Sequence, residues 1–248
     1  MAVKRVNLVQ HSSTNLYLSS LLKENPDTGP VMVVSDYQDA GRGQGSHHWH
    51  SMPGENLLMS LLLFPAFLSA SDQFQLSRVA SLALIDTLRY LGLTPDIKWP
   101  NDILVNKRKL AGVLIENSIS GKNLSHSIIG IGLNLNQTEF PSFPVEASSV
   151  ALERGTASDR NQVLDQLLES LMSRYGQLEN GDTSKLESDY MAYLFMLDQP
   201  GAFVHQGKQF TGTIRGLSDV GELLVESEGK TRTYGFQDIQ YLLAENII

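Results

Sequence analysis

Residues 37–49 read YQDAGRGQGSHHW, and no other stretch restricts the architecture as much. Gly41, Gly43 and Gly45 fall too close together for a helix or a strand, so the segment must be a loop. Without Cβ atoms its N–H groups can turn toward an anion at little steric cost, Arg42 can fork two hydrogen bonds onto a phosphate or carboxylate, and Trp49 ends it with a flat apolar face. An ordinary surface loop is the plain alternative, since glycine-rich runs recur by chance. Two phosphate motifs are disfavoured. A dinucleotide fingerprint needs a helix directly after the glycines, but HSMPGEN follows, and Pro53 with Gly54 stops one there. A P-loop needs Gly-Lys-Ser/Thr at its end, which is missing. His47, His48 and His50 suggest zinc, yet sequence neighbours rarely converge on one ion without distant ligands, so they read as solvated loop histidines.

The 248 residues can bury a sizeable core and allow one large domain plus a small appendage. No apolar run approaches the 18 or so residues a membrane-crossing helix requires, and the chain reads as globular. MAVKRVNLVQH lacks the apolar centre of a signal peptide and there is no cysteine, which makes the cytoplasm the expected location. A net charge of −8 argues against nucleic acid as a partner. Against that acidic background Lys98, Lys107, Arg108 and Lys109 cluster within twelve residues, a local excess that suits an anionic ligand. Within NKRK, Lys107 and Arg108 read as a solvated hairpin turn, whereas Lys109 abuts the apolar run LAGVLIE.

Val3–Val9 reads as a strand, followed by a helix whose start is capped from SSTN (Ser12–Asn15) and which carries Leu16, Leu18, Leu21 and Leu22. Val31–Ser35 and Asn56–Phe64 are apolar strands on either side of the glycine loop. Leu76, Val79, Ala80, Ala83, Leu84, Leu88 and Leu91 place one core-facing stripe on a helix over Gln75–Leu91, ended by Gly92. Strands at Ile97–Trp99, Ile103–Val105, Leu110–Asn117 and Ser127–Asn136 make a mostly antiparallel sheet. Residues 137–149, with two prolines and no periodicity, read as a mobile connection. Helices are expected over Asn161–Leu178 and Leu186–Leu197. After Pro200, short alternating runs broken by Gly207, Asp219–Gly221 and Glu228–Gly229 read as a barrel of about five strands. The fold class is therefore α+β, a mixed, mostly antiparallel sheet flanked by helices in residues 1–197, with a small all-β unit in 198–248.

Two further constellations carry chemistry. In KWPNDILVNKRKLAG, residues 98–112, Asp102 is the hard oxygen ligand that Mg²⁺ takes beside phosphates, and Lys98 and Lys109 can offset charge on a phosphate or activated carboxyl. In GIGLNLN, residues 130–136, small residues permit close approach and Asn134 offers both a donor and an acceptor.

In this order, SSTN, YQDAGRGQGSHHW, KWPND, RKLAG and GIGLNLN resemble the biotin protein ligases, and the resemblance spans nearly the whole chain. It implies a class II aminoacyl-tRNA synthetase-like catalytic domain with an SH3-like C-terminal barrel, in the monofunctional type without an N-terminal DNA-binding domain. It implies ATP, Mg²⁺ and biotin as reactants: biotinyl-adenylate forms with loss of pyrophosphate, then a lysine of a biotin carboxyl carrier domain attacks it. Position by position, the resemblance puts Ser13, Thr14, Asn15, Gln38, Gly41, Arg42, Gly43, Gln44, Lys109 and Gly112 around biotin. It puts Trp49, Lys98, Asn101 and Asn134 around ATP, Asp102 on the metal, Lys109 and Arg42 in catalysis, and residues 137–149 over the adenylate. Many members have GRGR where this chain has Gln44, an amide without charge. A homodimer through the main sheet's edge is expected by analogy. The alternatives are lipoate ligation by the same chemistry, a non-catalytic sensor of biotin or its adenylate, and an unrelated nucleotide-binding enzyme.

Overall fold

The computed structural model describes residues 3–45, 47–143 and 145–242. Ser46 in the glycine loop, Pro144 in the proline segment and 243–248, the end of the expected barrel, lie outside the described residues. In chain order the elements are β1 (Lys4–His11), α1 (Thr14–Glu24), β2 (Val31–Gln38), β3 (Leu57–Leu63), α2 (Phe74–Tyr90), β4 (Pro95–Lys98), β5 (Asp102–Val105), β6 (Arg108–Ser120) and β7 (Asn123–Leu133). They continue with α3 (Val150–Arg154), α4 (Arg160–Glu179), α5 (Thr183–Ala192), β8 (Pro200–His205), β9 (Lys208–Leu217), β10 (Leu223–Ser227), β11 (Lys230–Tyr234) and β12 (Ile239–Leu242).

Strands β1 to β7 form one sheet in the order β1-β2-β3-β7-β6-β5-β4. Only β1 and β2 run parallel, because α1 supplies the crossover that a parallel pair needs. β3 shows why its sequence is apolar at every position but Ser60. With side chains alternating between faces, Leu57, Met59, Leu61 and Leu63 enter the large core beneath α2, α4 and α5, while Leu62 joins Leu18, Val31, Val33 and Ile128 in a smaller core under α1. Ser60 shares the α1 face. The register puts Gly130 opposite Ser60, and Gly132 opposite Gly112, on that same face. Beyond the end of α1 the sheet is thus floored by small residues, which leaves room for a cavity.

The C-terminal strands form a second antiparallel sheet, ordered β11-β10-β9-β8-β12. Phe203, Ile214, Leu223, Val225, Tyr234 and Ile239 from it join the same buried cluster as α2 and the main sheet. Gly221, at φ +87°, lies against the Phe74 ring where a Cβ would stand 2.1 Å from a ring carbon, so only glycine permits that seam.

Three expectations need correcting. The helix expected over Leu186–Leu197 is α5 and ends at Ala192; Leu194 and Leu197 instead bridge to Ile97 and Ile214, with Met196 and Asp198 at positive φ steering the chain into the second sheet. Asn106 and Lys107 do form the NKRK turn, at φ 51° and 64°, but Arg108 is not simply solvated: its Nη2 lies 2.8 Å from the buried carboxylate of Glu153. That acid sits on α3, a helix the sequence pattern did not reveal. The segment expected to be a loose connection is tied at its end, where Lys109 N–H donates to Glu146 O at 2.8 Å and Ser148 N–H to Lys109 O at 3.0 Å.

Candidate active site

A cavity of about 380 Å³ opens between the glycine-floored sheet face, the first turn of α1, the glycine loop and the segment around Phe140–Ala147. Every residue assigned to biotin, ATP or the metal lines it except Gly41. Gly41 works from behind: its carbonyl accepts from Trp49 N–H, and a Cβ there would sit 2.5 Å from Trp49 O. The loop closes on itself as a short ladder, Trp49 N–H to Gly41 O at 2.9 Å and Gly43 N–H to His47 O at 2.8 Å. Gly43's amide is therefore engaged within the loop.

One end of the cavity is uncharged and closely bonded. Thr14 donates to Gln38 Oε1 through its N–H at 2.6 Å and through Oγ1 at 3.1 Å. Ser60 Oγ lies 2.7 Å from Thr14 Oγ1 and 2.5 Å from Asn15 Oδ1. Ser13 precedes α1 in an extended conformation, its side chain making no capping hydrogen bond despite the expectation from SSTN, and this sets Thr14 and Asn15 on the first turn facing inward. Gly130 lies directly under Asn15, where a Cβ would come within 2.3 Å of Oδ1.

Across the cavity the groups are charged. Asp102 accepts from Lys109 Nζ at 2.5 Å through one oxygen and from Lys98 Nζ at 3.0 Å through the other. Burial alone would raise the Asp102 carboxyl, but the two ammonium groups outweigh it and hold it below the usual carboxylate range. Arg42 Nη1 pairs with Glu116 Oε1 at 3.0 Å, and the other Glu116 oxygen accepts from Asn15 Nδ2 at 2.7 Å. Glu116 thereby joins the two ends. Trp49 lies flat over the floor: a Cβ on Gly132 would fall 2.4 Å from its ring, and Lys109 Nζ is 5.5 Å from the ring centroid. Asn101 Nδ2 donates to Val113 O at 2.8 Å, locking the KWPND turn onto β6. Asn134 Nδ2 donates to Ser148 O at 2.9 Å, so it anchors the end of the covering segment, while its buried Oδ1 has no partner among the described residues.

Sequence reasoning missed several of these residues. Ser60 and Glu116 each left a signal: a single serine inside LLMSLLL, and an acid in period-two phase with Gly112 on an apolar strand. Phe140 and Phe143 of the covering segment left none. His47, His48 and His50 are exposed as expected, yet they also line the cavity mouth. Among the described residues no three His, Cys, Asp or Glu side chains group to hold a metal ion.

The description "Biotin/lipoate A/B protein ligase family" belongs to the family model that matches residues 7–134, more than half of the chain. The chain belongs to this family. A biotin–[acetyl-CoA-carboxylase] ligase of Paracoccus denitrificans is 34% identical over 228 residues, covering 88% of this chain and 92% of that protein. The bifunctional ligase/repressor BirA of Bacillus spizizenii is 33% identical over 229 residues, covering 90% of this chain and 70% of the relative. Among solved structures, the Aquifex aeolicus biotin protein ligase in complex with biotin and ATP superposes with a TM-score of 0.80 at 25% identity, over 96% of this chain and 99% of that one. The α+β sheet with a C-terminal all-β sheet is thus the fold of the biotin protein ligase structures. No helix among the described residues is long and apolar enough to cross a membrane.

Proposed function

We propose that this protein is an ATP-dependent biotin protein ligase that modifies a lysine of a biotin carboxyl carrier domain. The observation that carries the choice of acid is the uncharged end of the cavity. Thr14, Asn15, Gln38 and Ser60 present donors and acceptors in a bonded set, which matches a ureido group offering two N–H donors and one carbonyl. A dithiolane ring has neither N–H donors nor a carbonyl to bond to that set, and sites built to hydrogen-bond their ligand reject analogues that lack the matching groups.

In the first step a carboxylate oxygen of biotin attacks the α-phosphorus of ATP, the bond to the bridging oxygen breaks, and pyrophosphate leaves. In the second the carrier's lysine amine attacks the acyl carbon, an amide forms, AMP departs with the bonding pair, and the amine loses its proton. The nucleophiles belong to the substrates, so this chain contributes position and charge. Lys109, 2.5 Å from Asp102 at the floor, faces the acyl phosphate oxygens; Lys98 faces the remaining phosphates; Arg42 reaches the carboxyl and phosphate by exchanging out of its pair with Glu116. Trp49 supports the adenine and Gln44 contributes an uncharged hydrogen bond. The covering segment with Phe140 and Phe143 keeps water from the mixed anhydride.

Asp102 is the one carboxylate among the described residues that line the cavity. Such a donor set suits a Mg²⁺ ion carried in by phosphate oxygens and water rather than caged by protein, and Asp102 would have to release one ammonium to bind it. β1 ends the main sheet with no strand on its outer side among the described residues, Val9 there is 81% exposed, and we assign self-association to that edge.

Pyrophosphate release from Mg·ATP, compared with biotin, lipoate or no acid, tests the reading without any carrier. Release with biotin only is expected. Release with lipoate only would make the chain a lipoate ligase, and biotin binding without release would make it a sensor.

A further inference from the structure

The KWPND turn is held from behind by the C-terminal sheet. Trp99 is buried, donates its Nε1–H to Gly221 O at 2.8 Å, and lies 5.4 Å from the Phe236 ring. Lys98 points the other way, into the cavity, and its Nζ stands 5.3 Å from the ring centroid of Tyr241 on β12. Tyr241 is wedged between Phe203, at 5.4 Å, and Phe195, at 6.4 Å, so its ring has little freedom.

We infer that Tyr241 is a positioning residue for the first half-reaction: its ring face holds the Lys98 ammonium at the phosphate end of the cavity, which makes the C-terminal sheet a wall of the catalytic centre. The need for such a hold comes from Asp102. Both Lys98 and Lys109 lean on that one carboxylate, and two like charges so placed repel each other. A π face against Lys98 gives its ammonium a second attraction that offsets this repulsion. Lysine's long flexible stem would otherwise leave the charge poorly placed for an incoming phosphate. The inference rests on the biotin ligase reading for the identity of the reaction, but the nucleotide contact can be measured separately.

The experiment compares Tyr241→Met, which fills the volume without a π face, with Tyr241→Phe, which keeps the face. ATP affinity, biotin affinity and biotin-dependent pyrophosphate release are measured for each. Tyr241→Met should weaken ATP binding or slow release by roughly three- to thirtyfold, the range of one cation–π contact, with biotin affinity unchanged and Tyr241→Phe within about twofold of wild type on that scale. A wild-type result for Tyr241→Met would overturn the inference. So would an equal loss in Tyr241→Phe, or a parallel loss of biotin and ATP binding, which would make the sheet a general prop. Independently of any variant, the Lys98 ε-methylene protons should show an upfield ring-current shift by NMR; its absence would also overturn the placement. A wild type that binds ATP but releases no pyrophosphate with biotin would sink the ligase reading and leave the Tyr241 comparison standing.

Discussion

At one end of the cavity Thr14, Asn15 and Ser60 are almost completely buried, uncharged and bonded to one another and to Gln38; at the other, Lys98, Lys109 and Arg42 stand against Asp102 and Glu116. The first set keeps its geometry with no charge to desolvate, so it can discriminate among ligands by which groups a wrong one leaves unpaired. The second set holds three cations against two carboxylates, and an entering anion must draw those cations from their partners. Selectivity for the acid thus belongs to the uncharged end and transition-state stabilisation to the charged end, with Glu116 as the one side chain that touches both.

The largest expected effect separates the ends most sharply. Lys109→Ala should lower biotin-dependent pyrophosphate release by on the order of 10² to 10³, the scale for losing one preorganised electrostatic contact; steady-state rates check it. A change confined to the KM for biotin would place Lys109 at the wrong end. Next, Asp102→Asn leaves two partly buried ammonium groups without their counter-charge and should destabilise the fold by about 1 to 2 kcal/mol near neutral pH. The Asp102 carboxyl titrates below its unfolded value near 3.9. Its contribution is therefore complete above about pH 5 and is lost as pH falls below about 4. Denaturant midpoints of wild type and variant should accordingly stay separated from pH 5 to 8 and converge in stronger acid.

Overpacking the neutral end should give a smaller and more selective loss. In Gly130→Ala the new methyl meets Asn15 Oδ1 under backbone that cannot retreat, so biotin affinity should fall about tenfold, within the range for forcing an extra methyl into a packed site. ATP affinity should hold. Gly132→Ala presses on the Trp49 ring instead and should reverse that selectivity. The smallest effect belongs to Gln44→Arg, which adds a cation to the loop and should slow biotinyl-adenylate dissociation a few-fold, as read by stopped-flow release; unchanged release would remove Gln44 from the phosphate contacts.

Much of the uncharged end and the lysine pair was legible because each lies within a short motif: SSTN at a helix start, KWPND and RKLAG on adjacent hairpin strands. The strands were legible for the same reason, since alternation and turn residues are local. What sequence could not carry was pairing at a distance. Arg42 meets Glu116 across the sheet, Arg108 meets Glu153 of a five-residue helix too short for any periodicity, and Lys98 meets Tyr241 from the far end of the chain. Helix α5 stops early for a tertiary reason as well, because Leu194 and Leu197 are used to join the two sheets. The glycine loop is readable from sequence as a loop suited to a ligand, and it does line the cavity, but its closure into a ladder, with Gly43 N–H bonded to His47 O, depends on backbone geometry that composition does not encode.

The division of labour between the two ends is tested most directly by titrating biotin calorimetrically, with no nucleotide present, into wild type and Lys109→Ala. The uncharged end alone should set this affinity, so the two dissociation constants should agree within about threefold, well under the tenfold that 1.4 kcal/mol represents. A Lys109→Ala protein that binds biotin a hundredfold more weakly would contradict the account, because the charged end would then be holding the acid rather than activating it.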